Sequence, residues 1–219
     1  MKRINYFKFL PAAILFLAFF IFTALLCFVD IAPIGPNGSE IGFATINGAI
    51  FDTLGQNDFF YSISEITIYL AILVAAAFAS LGAYQLIKRK KLFAVDKTIL
   101  WLGVIYALAI FFYIAFEIVV IGYRPVLIDG ELEAAFPSSH TMLVSTILIS
   151  AIFAFNKLVR SLALRVTVSV TASIITAVTI VFRLLSGVHW FTDIVGGILL
   201  SAALVMLYYA LLSIKTKEE

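Results

Sequence analysis

Charge, cysteine and histidine are all scarce in this chain. Charged residues make up 13% of its 219 positions, while 63% are hydrophobic. A soluble domain of this size carries roughly a quarter of its residues charged. The shortage excludes an ordinary soluble enzyme and points to an integral membrane protein. Spans of about 20 apolar residues each consume most of the length, so residues 1–219 are expected to form a single membrane domain. With Cys27 alone, no internal disulfide is possible. Leu25 and Leu26 stand where small residues would precede a lipidated cysteine, so Cys27 is read as membrane-buried. Strict apolar–polar alternation is missing, which argues against a β-barrel. No carboxylate cluster with metal-ligand spacing occurs, and neither a metal nor another cofactor is expected.

What is present is a set of long apolar runs. Six of them read as membrane helices: Phe9–Val29, Ile66–Ile87, Thr98–Ile121, His140–Phe155, Val166–Leu185 and Asp193–Ile214. The fourth is short and is expected to continue through Asn156 and Leu158 with Lys157 snorkelling. The first is too long for a signal core and lacks a small-residue cleavage site, so it is expected to stay as a span. Thirteen of the fifteen Lys and Arg residues fall at one side of this six-span layout. The positive-inside rule makes that side cytoplasmic, with both termini inside. The loop from Asp30 to Glu65 reads first as a connector, with Ile46 to Leu54 able to form a short surface helix.

Arg124 and Arg183 break the charge pattern, because both fall at the outer ends of spans. So do the only two histidines. His189 and Asp193 are four apart, on one helix face. A carboxylate there fixes the imidazole tautomer and leaves the other nitrogen nucleophilic. Arg183, six residues before His189, is expected to face back toward it. Pro137-Ser138-Ser139-His140 opens an apolar helix. Ser138 or Ser139 is a natural N-cap, and the free N–H groups of a helix start bind anions, phosphate above all. His140 then sits beside the anion as a proton donor. Arginine supplies a planar fork of donors suited to phosphate oxygens. The set amounts to a cradle for phosphoryl transfer without a metal.

This arrangement resembles the type 2 phosphatidic acid phosphatase family, whose fold and site are shared with vanadium haloperoxidases. Its motifs run Lys-x6-Arg-Pro, Pro-Ser-Gly-His and Ser-Arg-x5-His-x3-Asp. Arg124-Pro125 matches the end of the first, and Pro137 to His140 match the second except at Ser139. Arg183, His189 and Asp193 match the third, with Phe182 in place of its serine. The resemblance implies an all-α, six-span protein with a haloperoxidase-like helical core. It implies His189 as nucleophile forming a phosphohistidine, Asp193 orienting it, and His140 protonating the leaving oxygen. Arg124, Arg183, Ser138 and the Ser139 N–H would hold the phosphate. The expected partners are a lipid phosphate and the bilayer, with no nucleic acid. The setting is a membrane, bacterial by resemblance, with the site on the extracytoplasmic side.

One departure stands out. The motif's lysine position holds Glu117. A carboxylate two helical turns below an anion site repels phosphate unless protonated or paired. Pairing with Arg124 or Arg183 is the preferred expectation; recognition of a cationic headgroup and impaired turnover are the others. Three functions follow: a lipid phosphatase first, then a phosphotransferase with a non-water acceptor, then a lipid-phosphate binder or transporter without catalysis.

Overall fold

The computed structural model describes residues 6–214. Lys2, Arg3, Lys215 and Lys217, used above for orientation, lie outside them. Seven α-helices form among the described residues: α1 Leu10–Leu26, α2 Ala44–Leu54, α3 Asp58–Arg89, α4 Lys97–Ile118, α5 Ser139–Leu158, α6 Leu162–Leu185 and α7 Phe191–Leu212. Six of these are long and apolar enough to cross a membrane, and α2 is the exception. Only isolated β-bridges accompany them.

Local chemistry sets the helix ends. The Asn57 side chain accepts from the Phe59 and Phe60 N–H groups and starts α3. Asp96 does the same for α4 through Thr98 N–H. Ser138 and Ser161 cap α5 and α6. The fourth span does run through Leu158, and the Lys157 ammonium donates to the Leu212 carbonyl at that end of the bundle.

Helices α5 and α7 are the core. In each, 56% of the spanning residues are buried, against 11–22% in the other four. At their N-terminal ends the contact is made of small residues, because lipid tails are as apolar as leucine and close backbone approach must supply the packing. A Cβ on Gly197 would stand 2.9 Å from Thr141 Cβ and 3.0 Å from the Ser138 carbonyl. The N-terminal ends of α5 and α7 are therefore pressed together. The exposed leucines, isoleucines and phenylalanines of α1, α3, α4 and α6 face outward, where lipid would meet them.

The segment before α3 is more than a connector. Asn47 on α2 is fully buried; its side chain donates to Thr192 Oγ1 (2.9 Å) and accepts from Thr192 N–H (3.2 Å). This pins α2 to the first turn of α7. The Asn57 N–H then donates to the Ser186 carbonyl (3.0 Å), which sets the start of α3 against the end of α6. At the α6–α7 turn, Gly187 has φ +68°, and a Cβ there would meet the Gly55 carbonyl at 2.1 Å. Only glycine fits that position.

Candidate active site

The polar residues singled out above meet where α3, α5 and α7 begin and α4 and α6 end. The turn Ser186–Trp190 joins α6 to α7, and a short hairpin of residues 122–135 joins α4 to α5. Trp190 binds the two connections together, its indole N–H donating to the Tyr123 carbonyl (2.8 Å). Ser138 N–H donates to the Asp193 carbonyl (3.0 Å), so the starts of α5 and α7 are tied by backbone.

His189 is 3% exposed, with Nδ1 3.4 Å from Asp193 Oδ2. That same Asp193 oxygen accepts the Trp190 N–H (2.8 Å) and is thereby fixed in place. The imidazole's other nitrogen, Nε2, lies 3.5 Å from Arg183 Nη2. Burial first, and then the positive Arg124, Arg183 and His140 around it, hold the His189 imidazole well below the usual histidine range. The ring is neutral at ordinary pH, the state a nucleophile requires.

Arg183 is completely buried. One face of α3 clasps it: Tyr61, Ser64 and Glu65, spaced i, i+3 and i+4. The Arg183 Nη1 donates to Glu65 Oε1 (2.7 Å) and to Ser64 Oγ (3.2 Å), and Cζ lies 5.4 Å from the Tyr61 ring centre. Held from that side, the guanidinium presents its Nε–Nη2 edge toward His189. The Nε atom is buried without a partner. An unsatisfied buried donor on a cation is costly, and an anion at this edge would satisfy it.

His140 opens α5 with Nε2 3.2 Å from the same Glu65 oxygen, an ion-pair distance, and both its ring nitrogens are buried without a hydrogen-bond partner. Arg124 sits on the hairpin, its Nη2 3.2 Å from Glu133 Oε2 and its backbone N–H donating to the Glu133 carbonyl. Arg124 Nε is also buried and unpartnered. Ser138 is fully buried and spent on local structure, its Oγ facing the Thr141 N–H (3.5 Å). Ser139 instead lines a narrow cavity together with Glu117, Pro137 and His189.

The structure thus brings His189, His140, Asp193, Arg183, Arg124 and Ser139 to one end of the bundle. It overturns the pairing expected for Glu117. Arg183 is taken by Glu65 and Arg124 by Glu133. Glu117 is exposed and lines the cavity beside His189 with no ion pair of its own. Sequence reading missed Glu65, which it took as the last residue of the connector that starts at Asp30.

Six membrane-crossing helices with two histidines and two arginines gathered at one end define an integral membrane protein with a largely buried cluster of basic and acidic side chains. The model of the PAP2 superfamily matches residues 99–217, and the chain belongs to that superfamily. The fold is similar to the crystal structure of a transmembrane PAP2-type phosphatidylglycerolphosphate phosphatase from Bacillus subtilis. The likeness has a TM-score of 0.66 over 95% of this chain and 99% of that one, at 19% sequence identity. Nothing among the curated proteins matches the chain.

Proposed function

We propose that this protein is a lipid phosphatase that works through a phosphohistidine on His189. The observation that carries the reading is the unpartnered Nε of the buried Arg183, whose neighbouring Nη2 lies 3.5 Å from His189 Nε2. A phosphoryl group bound by that fork is presented to the neutral imidazole nitrogen. Nε2 attacks phosphorus, and the bond to the leaving oxygen breaks as that oxygen takes a proton from His140. Asp193 receives the positive charge that develops on His189 through its Nδ1 side. Water then attacks the phosphohistidine, His140 takes its proton, and inorganic phosphate leaves with His189 restored. Arg124, Arg183 and the Ser139 N–H, in the first turn of α5, bind the equatorial oxygens. The compensating charge comes from guanidinium, so turnover is independent of metal.

Placement at the ends of spans supports a substrate whose phosphate lies at headgroup depth. The basic residues at the opposite end support an extracytoplasmic site with cytoplasmic termini. Candidate substrates are phosphatidylglycerophosphate, phosphatidic acid and isoprenyl diphosphates. The first gains support from the activity of the structurally similar Bacillus subtilis protein. Phosphate release from each lipid in detergent, with chelator present, is the test. The expected result is turnover that chelator leaves intact and that His189→Ala abolishes. An active His189→Ala variant would refute the phosphohistidine route.

A second reading rests on Glu117. An unpaired carboxylate in the cavity next to His189 is suited to accept a proton from an incoming hydroxyl. It favours transfer to a lipid or sugar acceptor over hydrolysis. Labelled donor lipid separates the two, since label appears either as free phosphate or in a second lipid.

A further inference from the structure

We propose that Glu65 is a positioning residue for His140, holding its Nε2 so that Nδ1 alone faces the leaving oxygen. The inference rests on the phosphatase reading and extends it to a part of the chain outside residues 99–217, where the family match lies.

One oxygen does the holding. Glu65 Oε1 is 2.7 Å from Arg183 Nη1 and 3.2 Å from His140 Nε2. The carboxylate therefore ties the acid on α5 to the phosphate fork on α6. Its own place is fixed two turns inside α3 by the Asn57 cap and by the Asn57–Ser186 backbone bond. The arrangement repeats the neighbouring one, where Asp193 stands 3.4 Å from His189 Nδ1 and leaves Nε2 for chemistry. In the second pair the roles of the nitrogens are exchanged. Glu65 stands at Nε2 at ion-pair distance (3.2 Å) while Nδ1 has no carboxylate beside it; both ring nitrogens are buried and neither makes a hydrogen bond of good geometry. The charged and titratable groups facing His140 are Glu65 from α3, Arg183 from α6, Arg124 from the hairpin and His189 from the turn before α7. Glu65 is the only carboxylate in that set, so it alone favours the imidazolium form that an acid needs.

The chemistry predicts which substrates depend on Glu65. Cleaving phosphate from an alkyl alcohol leaves an alkoxide, which must be protonated as the P–O bond breaks. A nitrophenolate departs without that proton. Two phosphomonoesters with the same apolar tail, one an alkyl ester and one a nitrophenyl ester, isolate the step. In the Glu65→Gln protein, kcat for the alkyl ester should fall by about 100-fold, the scale of general acid catalysis. For the nitrophenyl ester it should fall far less, and KM should change little for either. Glu65→Asp should restore part of the alkyl activity. Ser64→Ala, which removes another acceptor from Arg183 Nη1 but leaves His140 alone, should keep the alkyl-to-aryl ratio. On a His140→Asn background, Glu65→Gln should lower the ratio no further. An unchanged ratio in Glu65→Gln, or a further drop on the His140→Asn background, overturns the proposal. Wild-type turnover of the two esters is the separate check on the phosphatase reading. If neither is hydrolysed, that reading falls; if they are hydrolysed and the ratio does not move, only the role of Glu65 falls.

Discussion

The two arginines of the site are held in opposite ways. Arg183 is fully buried on a membrane helix, and Tyr61, Ser64 and Glu65 clasp it from a single face of α3. Arg124 sits on a connecting hairpin, where its side chain is 12% exposed and its partner Glu133 is 43% exposed. Glu65 is 31% exposed but Arg183 is not exposed at all, so removing Glu65 strands a fully buried charge, which is costly. An exposed pair contributes only about 0–1 kcal/mol. The helix-borne half of the site is therefore preorganised, and the hairpin half can adapt to what enters. On the proposed phosphatase reading, fixed groups suit the phosphoryl centre that all the candidate substrates share. Adaptable groups suit whatever differs among lipids.

Substitution at Arg183 should break this contrast most severely. Arg183→Lys keeps a charge but loses the planar fork, and its single ammonium cannot satisfy Glu65, Ser64 and a phosphate together. We expect kcat/KM for lipid phosphate to fall by about 100- to 1,000-fold, the cost of losing a preorganised donor to the transition state. Expression and thermal unfolding in detergent should also suffer, since Glu65 keeps a poorer partner. A variant within a few-fold of wild type would show that the fork is not used.

The hairpin should tolerate more. Arg124→Gln removes a proposed phosphate ligand whose surroundings can rearrange, and we expect the loss in kcat/KM to be smaller than for Arg183→Lys. Glu133→Gln should leave the fold's thermal stability almost unchanged. It frees Arg124 in the resting protein, so KM should fall or hold rather than rise. An increase in KM would mean that Glu133 aims Arg124 instead of competing for it.

The difference between the halves also explains what was readable from the sequence. Six spans, the α5 cap, and the convergence of His189, Asp193, Arg183 and His140 followed from apolar runs and short spacings. These depend on local rules of period and capping. Glu65 escaped because a span traced by its apolar run begins at Ile66. Helix α3 begins at Asp58, and its first two turns interrupt Phe59, Phe60 and Ile63 with polar residues, so no continuous apolar run marks them. The i, i+3, i+4 spacing of Tyr61, Ser64 and Glu65 was the available signal. Glu117 misled for a different reason. Its nearness to Arg124 in sequence suggested a pair, while the partners actually used lie 9 residues from Arg124 and 118 residues from Arg183. Only the folded bundle brings such residues together.

The smallest effect we expect is electrical. Arg124 acts on His189 across space, after burial and ahead of Arg183, in keeping that ring neutral. Lowering the midpoint means that the imidazole stays unprotonated well below pH 6.5, the ordinary value. Removing a nearby positive charge must raise the midpoint, because it removes a cost of protonation. Since the chain has two histidines, a His140→Asn protein labelled with 15N-histidine carries a single labelled ring, that of His189. Its titration in detergent should begin below pH 6.5 and move upward when Arg124→Gln is added. Because burial contributes more than any one charge, the midpoint should remain below the ordinary value in the double variant. A midpoint that Arg124→Gln does not move would mean that the hairpin arginine is too far or too screened to act on the nucleophile. The two halves would then meet only through the substrate.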